Sequence, residues 1–307
     1  MTSSRAWIVE AVGGAEAYER LARGLAGSEL WSVLLEVMRD RARARTAADV
    51  LAQYRRDRFV RPGAVDQREA VAVDGHLLAA AADFDALELS PLAPLGTCGA
   101  VAPTDQHRVV SALRGTEVVS DPTNVLALEC ADRLARDPHA AVNLATSMRV
   151  VRAQPVPPKP GFAQHFRIFT YVTGGREQVE HAFTVGALAA HVRTMTAALD
   201  RLELHGYDFG ARRVVVLATP ARAAIADRVV GALAGVVATE RAVLEHPYYS
   251  GGLRYMFWAR TPGGDEIPLG DGGAFDWLAT LTANRRNVFI ASGLGAQLVP
   301  SAFRRQV

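Results

Sequence analysis

Two apolar segments separated by a proline-rich loop occupy residues 148–172, and this pattern constrains the fold more than any other part of the chain. The β-branched and aromatic residues on both sides of the loop are typical of strands. Four prolines and a glycine between Pro155 and Gly161 cannot continue a β-ladder, so the loop must leave the sheet. Arg152 precedes the loop and Lys159 lies at its tip. The segment therefore predicts a hairpin, which is either a solvated surface hairpin or a basic clamp for a phosphate or carboxylate.

The composition argues against several classes of protein. Hydrophobic residues make up 50% of the 307 residues, which predicts a sizeable core and argues against disorder. The net charge of +2 gives no whole-chain signature of nucleic-acid binding. Two cysteines are too few for a disulfide framework, and the Cys and His spacing does not resemble a metal site. Because we find no signal-peptide pattern and no long uncharged apolar stretch, we expect a cytoplasmic protein that does not span a membrane.

The periodicity of apolar residues divides the chain into two parts. Residues 1–69 show helical periodicity with arginines on the other face, and we interpret them as an N-terminal helical region for packing or dimerisation. Short apolar runs begin at residue 70, and we interpret residues 70–307 as one core domain. In this domain, the Asp-Pro-Thr sequence at 121–123 predicts a helix start. Apolar residues at spacings of three and four across 185–202 predict a long helix with one buried face.

Seven short motifs follow one another between residues 84 and 299. They are LELSPLAP at 87–94, LRGTE at 113–117, VRAQ at 151–154, QHFRIF at 164–169, PYYSG at 247–251, GGAFDWL at 272–278 and ASGLGAQLV at 291–299. In this order they resemble the catalytic core of class II aminoacyl-tRNA synthetases, in particular the histidyl branch and its tRNA-free relatives. The resemblance implies an α+β fold with a mixed, mainly antiparallel sheet flanked by helices. It also implies a homodimer.

The same resemblance implies an adenylation site that uses ATP and Mg²⁺. Arg152 is expected to hold the α-phosphate, with Lys159 reaching the outer phosphates, so that these two residues serve catalysis. Phe166 is expected to lie against adenine, and Arg167 and Gln297 to contact the nucleotide as well. The residues expected to bind the substrate, an amino acid or small carboxylate, are Thr116, Glu117, Gln154, Tyr248, Tyr249 and Gly272. In this assignment Thr116 and Glu117 receive the substrate's amino group, and the two tyrosines line its side-chain pocket.

Several positions depart from the family pattern. Gln297 stands where the third motif has an arginine that packs on ATP, and Gln154 stands where the second motif has an acidic residue. Leu244 stands at about the place where an arginine usually precedes the tyrosine motif, and Ala274 and Phe275 replace the family's arginine-tyrosine pair. Losing a buried cation opposite a phosphate costs roughly 2–4 kcal/mol. Because residues 300–307 leave no room for an anticodon-binding domain, we do not expect tRNA to be a substrate.

Two functional hypotheses follow. In the first, the protein is a free-standing ligase that forms an acyl-adenylate and passes the acyl group to a non-tRNA acceptor. In the second, it is a catalytically silent paralogue that binds an amino acid and regulates a partner enzyme. Binding of ATP discriminates between them, because a ligase requires it. A third interpretation is an unrelated α/β enzyme in which Arg152 is a surface-paired strand residue, Phe166 belongs to the core and the two tyrosines are an ordinary pair.

Overall fold

The computed structural model describes residues 4–155 and 163–305. The helices are α1 (Ser4–Ala11), α2 (Ala15–Glu19), α3 (Gly27–Arg43), α4 (Ala47–Arg56), α5 (Gln67–Ala80), α6 (Thr97–Ala100), α7 (Pro122–Arg136), α8 (Ala182–Glu203), α9 (Ala223–Ala232), α10 (Trp277–Leu281) and α11 (Leu298–Ala302). The strands are β1 (Asp85–Ala86), β2 (Leu92–Pro94), β3 (Ser111–Ala112), β4 (Thr116–Val118), β5 (Val142–Val151), β6 (His165–Arg176), β7 (Arg212–Ala218), β8 (Ala238–Val243), β9 (Leu253–Arg260), β10 (Glu266–Phe275) and β11 (Asn287–Leu294). Among the described residues, no helix combines the length and the apolar character needed to cross a bilayer.

The described strands form one large and one small sheet. The large sheet has eight strands in the order β1-β5-β6-β11-β10-β9-β7-β8, and the small sheet has the order β2-β4-β3. In the large sheet the outer pairs β1–β5 and β7–β8 are parallel, and the inner pairs are antiparallel. The predicted fold class, an α+β fold with a mixed, mainly antiparallel sheet flanked by helices, is therefore confirmed.

The hairpin predicted across residues 148–172 is present and lies within the large sheet. Its strands β5 and β6 are antiparallel partners from the Val142–Gly174 pair to the Val151–His165 pair. Because successive side chains of a strand point to opposite faces, each strand of the hairpin supplies residues to both sides of the sheet. This alternation decides which of the predicted residues meet.

Helices cover the two faces of the large sheet unequally. Helices α5, α8 and α9 pack on one face, which we call the helix-covered face, and form the larger core cluster with it. The stripe predicted across residues 185–202 is buried in this cluster. Helices α7 and α10 pack on the other face, which we call the cleft face, beside a smaller core cluster. The polar side chains described below lie next to that smaller cluster.

Helix α5 crosses the domain boundary that the sequence places after residue 69. Asp66 caps this helix by accepting a hydrogen bond of 2.8 Å from the backbone N–H of Arg68. Val73 and Leu77 of the helix are buried in the larger core cluster, so the helix that carries these core residues begins before residue 70. The sequence does not indicate this helix because its Ala-Val-Ala-Val run reads as short apolar alternation. Farther upstream, helices α2, α3 and α4 match the predicted helical region and contain no buried residue.

Candidate functional site

A cleft of about 540 Å³ opens on the cleft face of the large sheet. Strands β6, β9, β10 and β11 form its floor, and the N-terminus of α7 and the loop before β9 form its walls. Small-molecule sites commonly have volumes of about 300–1,000 Å³, so the cleft has the size of a ligand pocket. Its charged and phenolic lining residues are Asp121, Arg152, Tyr248, Tyr249, Arg254 and Asp271.

Arg152 and Phe166 lie together at one side of the cleft. The Arg152 Nε donates a hydrogen bond of 3.0 Å to the carbonyl oxygen of Ser120. Its Nη2 lies 3.8 Å from Oδ2 of Asp121, at ion-pair distance. The guanidinium carbon lies 5.0 Å from the centroid of the Phe166 ring, which is the geometry of a cation–π contact. The two residues predicted to hold the α-phosphate and the adenine are therefore neighbours, but the guanidinium lies over the ring that adenine would use.

Asp121 holds the N-terminus of α7 at the wall of the cleft. Its Oδ1 accepts hydrogen bonds from the Thr123 backbone N–H at 3.0 Å and from the Thr123 hydroxyl at 2.7 Å. Tyr248 donates to its Oδ2 at 3.5 Å. A carboxylate is favoured at this position because the backbone N–H groups and the dipole of a helix N-terminus attract negative charge. The helix cap and the cleft acid are therefore the same residue.

A second ion pair lies across the floor, between Arg254 of β9 and Asp271 of β10. The Nη2 and Nε of Arg254 donate to Oδ2 of Asp271 at 2.7 and 3.2 Å. Tyr249 donates to the same oxygen, and the guanidinium carbon lies 4.8 Å from the centre of its ring. Within the described residues, Oδ1 of Asp271 accepts no hydrogen bond, so it remains available to a ligand.

The two tyrosines remain hydrogen-bond donors at any physiological pH. Burial, followed by the nearby carboxylates, raises the pKa of Tyr248 and of Tyr249 well above the usual value for a phenol. Their rings also contact each other edge to face, with centroids 5.5 Å apart. The structure thus places both predicted tyrosines in the cleft as neutral groups that orient its two carboxylates.

Glu117 and Thr116 do not reach the cleft. They lie on β4 in the small sheet, where Glu117 is 2% exposed. Its two carboxylate oxygens accept hydrogen bonds from the backbone N–H groups of Gly96 and Cys98, both at 2.9 Å, and from the Gln106 amide at 3.1 Å. Because the protein already supplies these donors, Glu117 stabilises a loop, and its predicted role with a substrate amino group does not fit this geometry.

The cleft does contain an acid and a threonine, but they are Asp121 and Thr123 and not the predicted Glu117 and Thr116. Their signal in the sequence is the Asp-Pro-Thr motif, which by itself predicts only a helix start. A helix N-terminus that faces a cavity places its capping acid at that cavity. Arg254 and Asp271 are also absent from the sequence-based assignment. Each of these residues is a charged residue in a central strand. An unpaired charge is unfavourable there, so such a residue indicates an ion pair or a functional group.

Arg167 and Gln297 lie on the opposite side of the sheet from Phe166. Side chains alternate along β6, so Phe166 faces the cleft while Arg167 faces α5 and forms an ion pair with Asp74. The Gln297 side chain accepts a hydrogen bond of 3.4 Å from Arg149 on the same side. The structure therefore does not bring these two predicted nucleotide contacts together with Arg152 and Phe166.

The remaining predicted residues have different positions. Gly272 lines the cleft with its backbone, and a Cβ there would point to the other face, 2.2 Å from Oγ of Ser292. Gln154 is partly buried, and it is not among the described residues that line the cleft. Lys159 lies outside the described residues. Within those residues, no group of three or more His, Cys, Asp and Glu side chains is arranged to hold a metal ion.

The solved structures similar to this chain include histidyl-tRNA synthetase-like proteins. An ATP phosphoribosyltransferase regulatory subunit/histidyl-tRNA synthetase from Bacillus halodurans aligns with a TM-score of 0.59 and 15% identity, over 78% of this chain and 82% of that chain. A histidine–tRNA ligase subunit from Alicyclobacillus acidocaldarius gives a TM-score of 0.57 and 14% identity, over 78% and 96%. The apo histidyl-tRNA synthetase of S. aureus gives 0.55 and 11%, over 74% and 62%. The predicted resemblance to class II catalytic cores of the histidyl type is therefore confirmed as a likeness of fold.

No protein-family model matches the sequence, and no curated protein matches it. At identities of 15% and below, the similar structures establish the fold of the chain and not its chemistry. Support for a function therefore comes from the residues of the cleft itself.

Proposed function

We propose that this protein binds a free amino acid in the cleft and regulates a partner enzyme, without forming an adenylate. The observation that carries the proposal is the charge balance of the cleft. Among the described lining residues, Arg152 is paired with Asp121 and Arg254 with Asp271. A zwitterion adds one positive and one negative charge to such a site and leaves it balanced.

A nucleotide triphosphate fits this cleft less well. Its phosphates carry several negative charges, and burying them requires surplus cations, since unpaired buried charge is costly. The two described arginines of the cleft are already neutralised by Asp121 and Asp271. The third-motif position holds Gln297, which faces the other side of the sheet. These features favour the silent paralogue over the ligase.

The cleft supplies one group for each end of an amino acid. The two terminal nitrogens of Arg152 make no hydrogen bond within the described residues, so they can hold a carboxylate in bidentate fashion. The free Oδ1 of Asp271 can accept a hydrogen bond from an ammonium group, while Tyr249 and Arg254 keep the carboxylate in place. The rings of Tyr248 and Phe275 then remain for the side chain of the ligand.

A regulatory role is supported by one of the similar structures and by the N-terminal helices. The similar Bacillus halodurans protein is named in part as an ATP phosphoribosyltransferase regulatory subunit. In the present chain, helices α2, α3 and α4 bury no residue within the protein, and α3 and α4 expose Val33, Met38 and Leu51. Such apolar surface is typical of contacts with another polypeptide, either a partner enzyme or a second copy of the chain.

Adenylate formation remains a second candidate because Arg152 and Phe166 are adjacent in the cleft, as the family resemblance implies. For ATP to stack on the phenyl ring, the Arg152 guanidinium must move off it and turn toward the α-phosphate. Lys159 and Mg²⁺ would then have to supply the positive charge that the described cleft lacks.

Calorimetric titration tests the proposal. The protein is titrated with each of the standard amino acids alone, and separately with ATP and Mg²⁺ at up to millimolar concentration. We expect one amino acid or a small group of them to bind, and ATP not to bind. Since hydrogen bonds to charged groups contribute about 1.5–3 kcal/mol, Arg152→Met and Asp271→Asn should each weaken amino-acid binding by about ten- to a hundredfold.

Arg213→Met is the matched control. Arg213 also lies 5.0 Å from an aromatic ring, that of Trp258, and is paired with Glu240 and Glu266, but it is not among the described residues that line the cleft. This variant should bind amino acids like the original protein. Tight ATP binding that is lost in Arg152→Met would instead establish the ligase hypothesis and overturn the regulatory one.

A further inference from the structure

Two arginines face each other on the helix-covered face of the hairpin. Arg149 of β5 and Arg167 of β6 are directly opposite in the antiparallel register. Like charges at such a position repel, and they are usually destabilising unless a counter-charge is present. Asp74 of α5 forms an ion pair with Arg167. Among the described residues, no carboxylate contacts Arg149, so the pair has a surplus of one positive charge.

Arg149 is held in place by neutral groups. Its Nε donates to Nδ1 of His165 at 2.8 Å, and its Nη2 donates to the side-chain oxygen of Gln297 at 3.4 Å. The Nε2 of His165 lies 2.6 Å from the carbonyl oxygen of Arg61, to which it donates. A Cβ at Gly63 would lie 2.4 Å from Nη2 of Arg149, so the backbone there packs closely on the guanidinium. The surplus charge is therefore fixed in position without being neutralised.

The two arginines line a cavity of about 330 Å³. Gln297 lies in its wall and is 7% exposed, and the Nε of Arg167 is buried without a hydrogen-bond partner within the described part of the chain. The rest of the wall is mainly apolar and includes Pro62, Val65, Ala70, Ala296 and Pro300. Burial, and then the neighbouring Arg167, lowers the pKa of Arg149, as expected for cations enclosed together.

We propose that this cavity is a second binding site, separate from the cleft, that takes a small carboxylate with a compact apolar body. One carboxylate group neutralises the single surplus charge of the pair and accepts hydrogen bonds from Arg149 and from the Gln297 amide. Apolar atoms of the ligand lie against the walls. This site lies across the sheet from the cleft, because Phe166 and Arg167 are consecutive residues of one strand and face opposite ways.

Titration with sodium propionate at constant ionic strength tests the site, with inorganic phosphate in a parallel arm. We expect saturable propionate binding and a higher melting temperature. Arg149→Met should weaken propionate binding by about tenfold or more, since it removes a charged hydrogen-bond donor. Arg176→Met, which changes an exposed arginine at the far end of β6, should bind propionate unchanged.

Gln297→Glu gives an independent test that does not depend on Arg149→Met folding well. The new carboxylate would stand 3.4 Å from Arg149 and supply the missing counter-charge from within the protein. We expect this variant to have a higher melting temperature than the original without ligand, and to have lost propionate binding.

Two further results decide the assignment. Arg152→Met should bind propionate like the original protein, and loss of binding in that variant would place the ligand in the cleft and overturn the proposal. Binding of phosphate in preference to propionate would overturn the carboxylate assignment. Absence of saturable propionate binding, or a lower melting temperature of Gln297→Glu, would overturn the site.

Discussion

The same strands form both faces of the large sheet, but the polar side chains in the middle of the two faces differ in charge and in how fully they are hydrogen-bonded. On the helix-covered face, Tyr255 and Ser292 belong to a closed network of neutral hydrogen bonds. On the cleft face, Arg254 and Asp271 carry opposite charges and keep an oxygen free. Arg254 and Tyr255 are adjacent in sequence, so one strand serves both purposes. At these central strands, the difference separates buried groups that stabilise the fold from groups of the cleft that are available to a ligand.

The buried network runs through five side chains, and among the described residues none of their buried polar atoms lacks a hydrogen-bond partner. Tyr255 donates to Oγ of Ser292 at 2.7 Å, and this oxygen lies 2.7 Å from Nδ1 of His191. The Nε2 of His191 lies 2.9 Å from Oγ1 of Thr173, which donates to the side chain of Asn143 at 2.8 Å. Burial lowers the pKa of His191 to about 3, so this ring is neutral at physiological pH.

The largest effect that separates the two faces is expected from alanine at two glycines of neighbouring strands. A Cβ at Gly272 would lie 2.2 Å from Oγ of Ser292 and 2.7 Å from Cε1 of Tyr255, within the buried network. We expect Gly272→Ala to lower the free energy of unfolding by about 3 kcal/mol, because the closed network cannot make room. Urea denaturation measures this change.

Gly293→Ala is the matched change on the cleft face. Its Cβ would meet Cδ1 of Ile168 at 3.3 Å and otherwise only atoms at ordinary contact distance. We expect a loss of less than about 1 kcal/mol in stability, together with weaker ligand binding in the cleft. Equal losses of stability at Gly272 and Gly293 would contradict the distinction between the faces.

The next effect is the pH dependence that His191 gives the helix-covered face. An unfolded chain has the ordinary histidine pKa of 6.5, whereas the folded protein lowers it to about 3. Below pH 6.5 the unfolded state binds a proton that the folded state does not, so stability decreases as the pH falls toward 3. The expected slope from this residue is at most about 1.4 kcal/mol per pH unit, or roughly 2 kcal/mol between pH 7.5 and 5.

Urea denaturation at several pH values checks this slope. His191→Gln should be less stable than the original at pH 7.5 but should lose most of the dependence between pH 6.5 and 5. His139→Gln, a change at an exposed histidine, should keep it. A His191→Gln variant with the original slope would show that other groups cause the acid sensitivity.

The smallest expected effect comes from removing one hydroxyl on each face. Tyr255→Phe leaves Ser292 without its donor and should cost about 1–2 kcal/mol of stability without changing amino-acid binding. Tyr249→Phe removes a donor to Asp271, which Arg254 still holds, so it should cost less stability and alter amino-acid binding instead. Denaturation and calorimetry on the same two variants measure both quantities. Weaker amino-acid binding in Tyr255→Phe together with unchanged binding in Tyr249→Phe would contradict the assignment of the amino-acid site to the cleft face.

Much of the fold follows from local signals in the sequence, whereas the site follows from them only in part. The hairpin around Arg152, the helix start at residues 121–123 and the buried stripe of α8 are found where the sequence predicts them. Arg152, Phe166, Tyr248, Tyr249 and Gly272 also meet in one cleft. Their binding roles remain predictions.

Other assignments depend on which way a side chain points, and motifs do not specify this. Phe166 and Arg167 are neighbours in one motif, but a pleated strand sends them to opposite faces. Glu117 belongs to a threonine-acid motif, yet the small sheet turns it toward the backbone of a loop. Motif matching identifies the segment correctly and leaves the direction of the side chain open.

By itself, the sequence determined the helix start at residues 121–123, the buried stripe of α8, the position of the proline-rich hairpin and the likeness to the class II core. These features depend on local propensity and on periodicity, which are properties of residues close together in the sequence. Only the tertiary structure decided that Arg254 meets Asp271, 17 residues away, and that Tyr248 meets Asp121, 127 residues away. Such contacts depend on strand order and register, because a shift of one residue in the pairing of two strands would move every side chain of the shifted strand to the other face of the sheet.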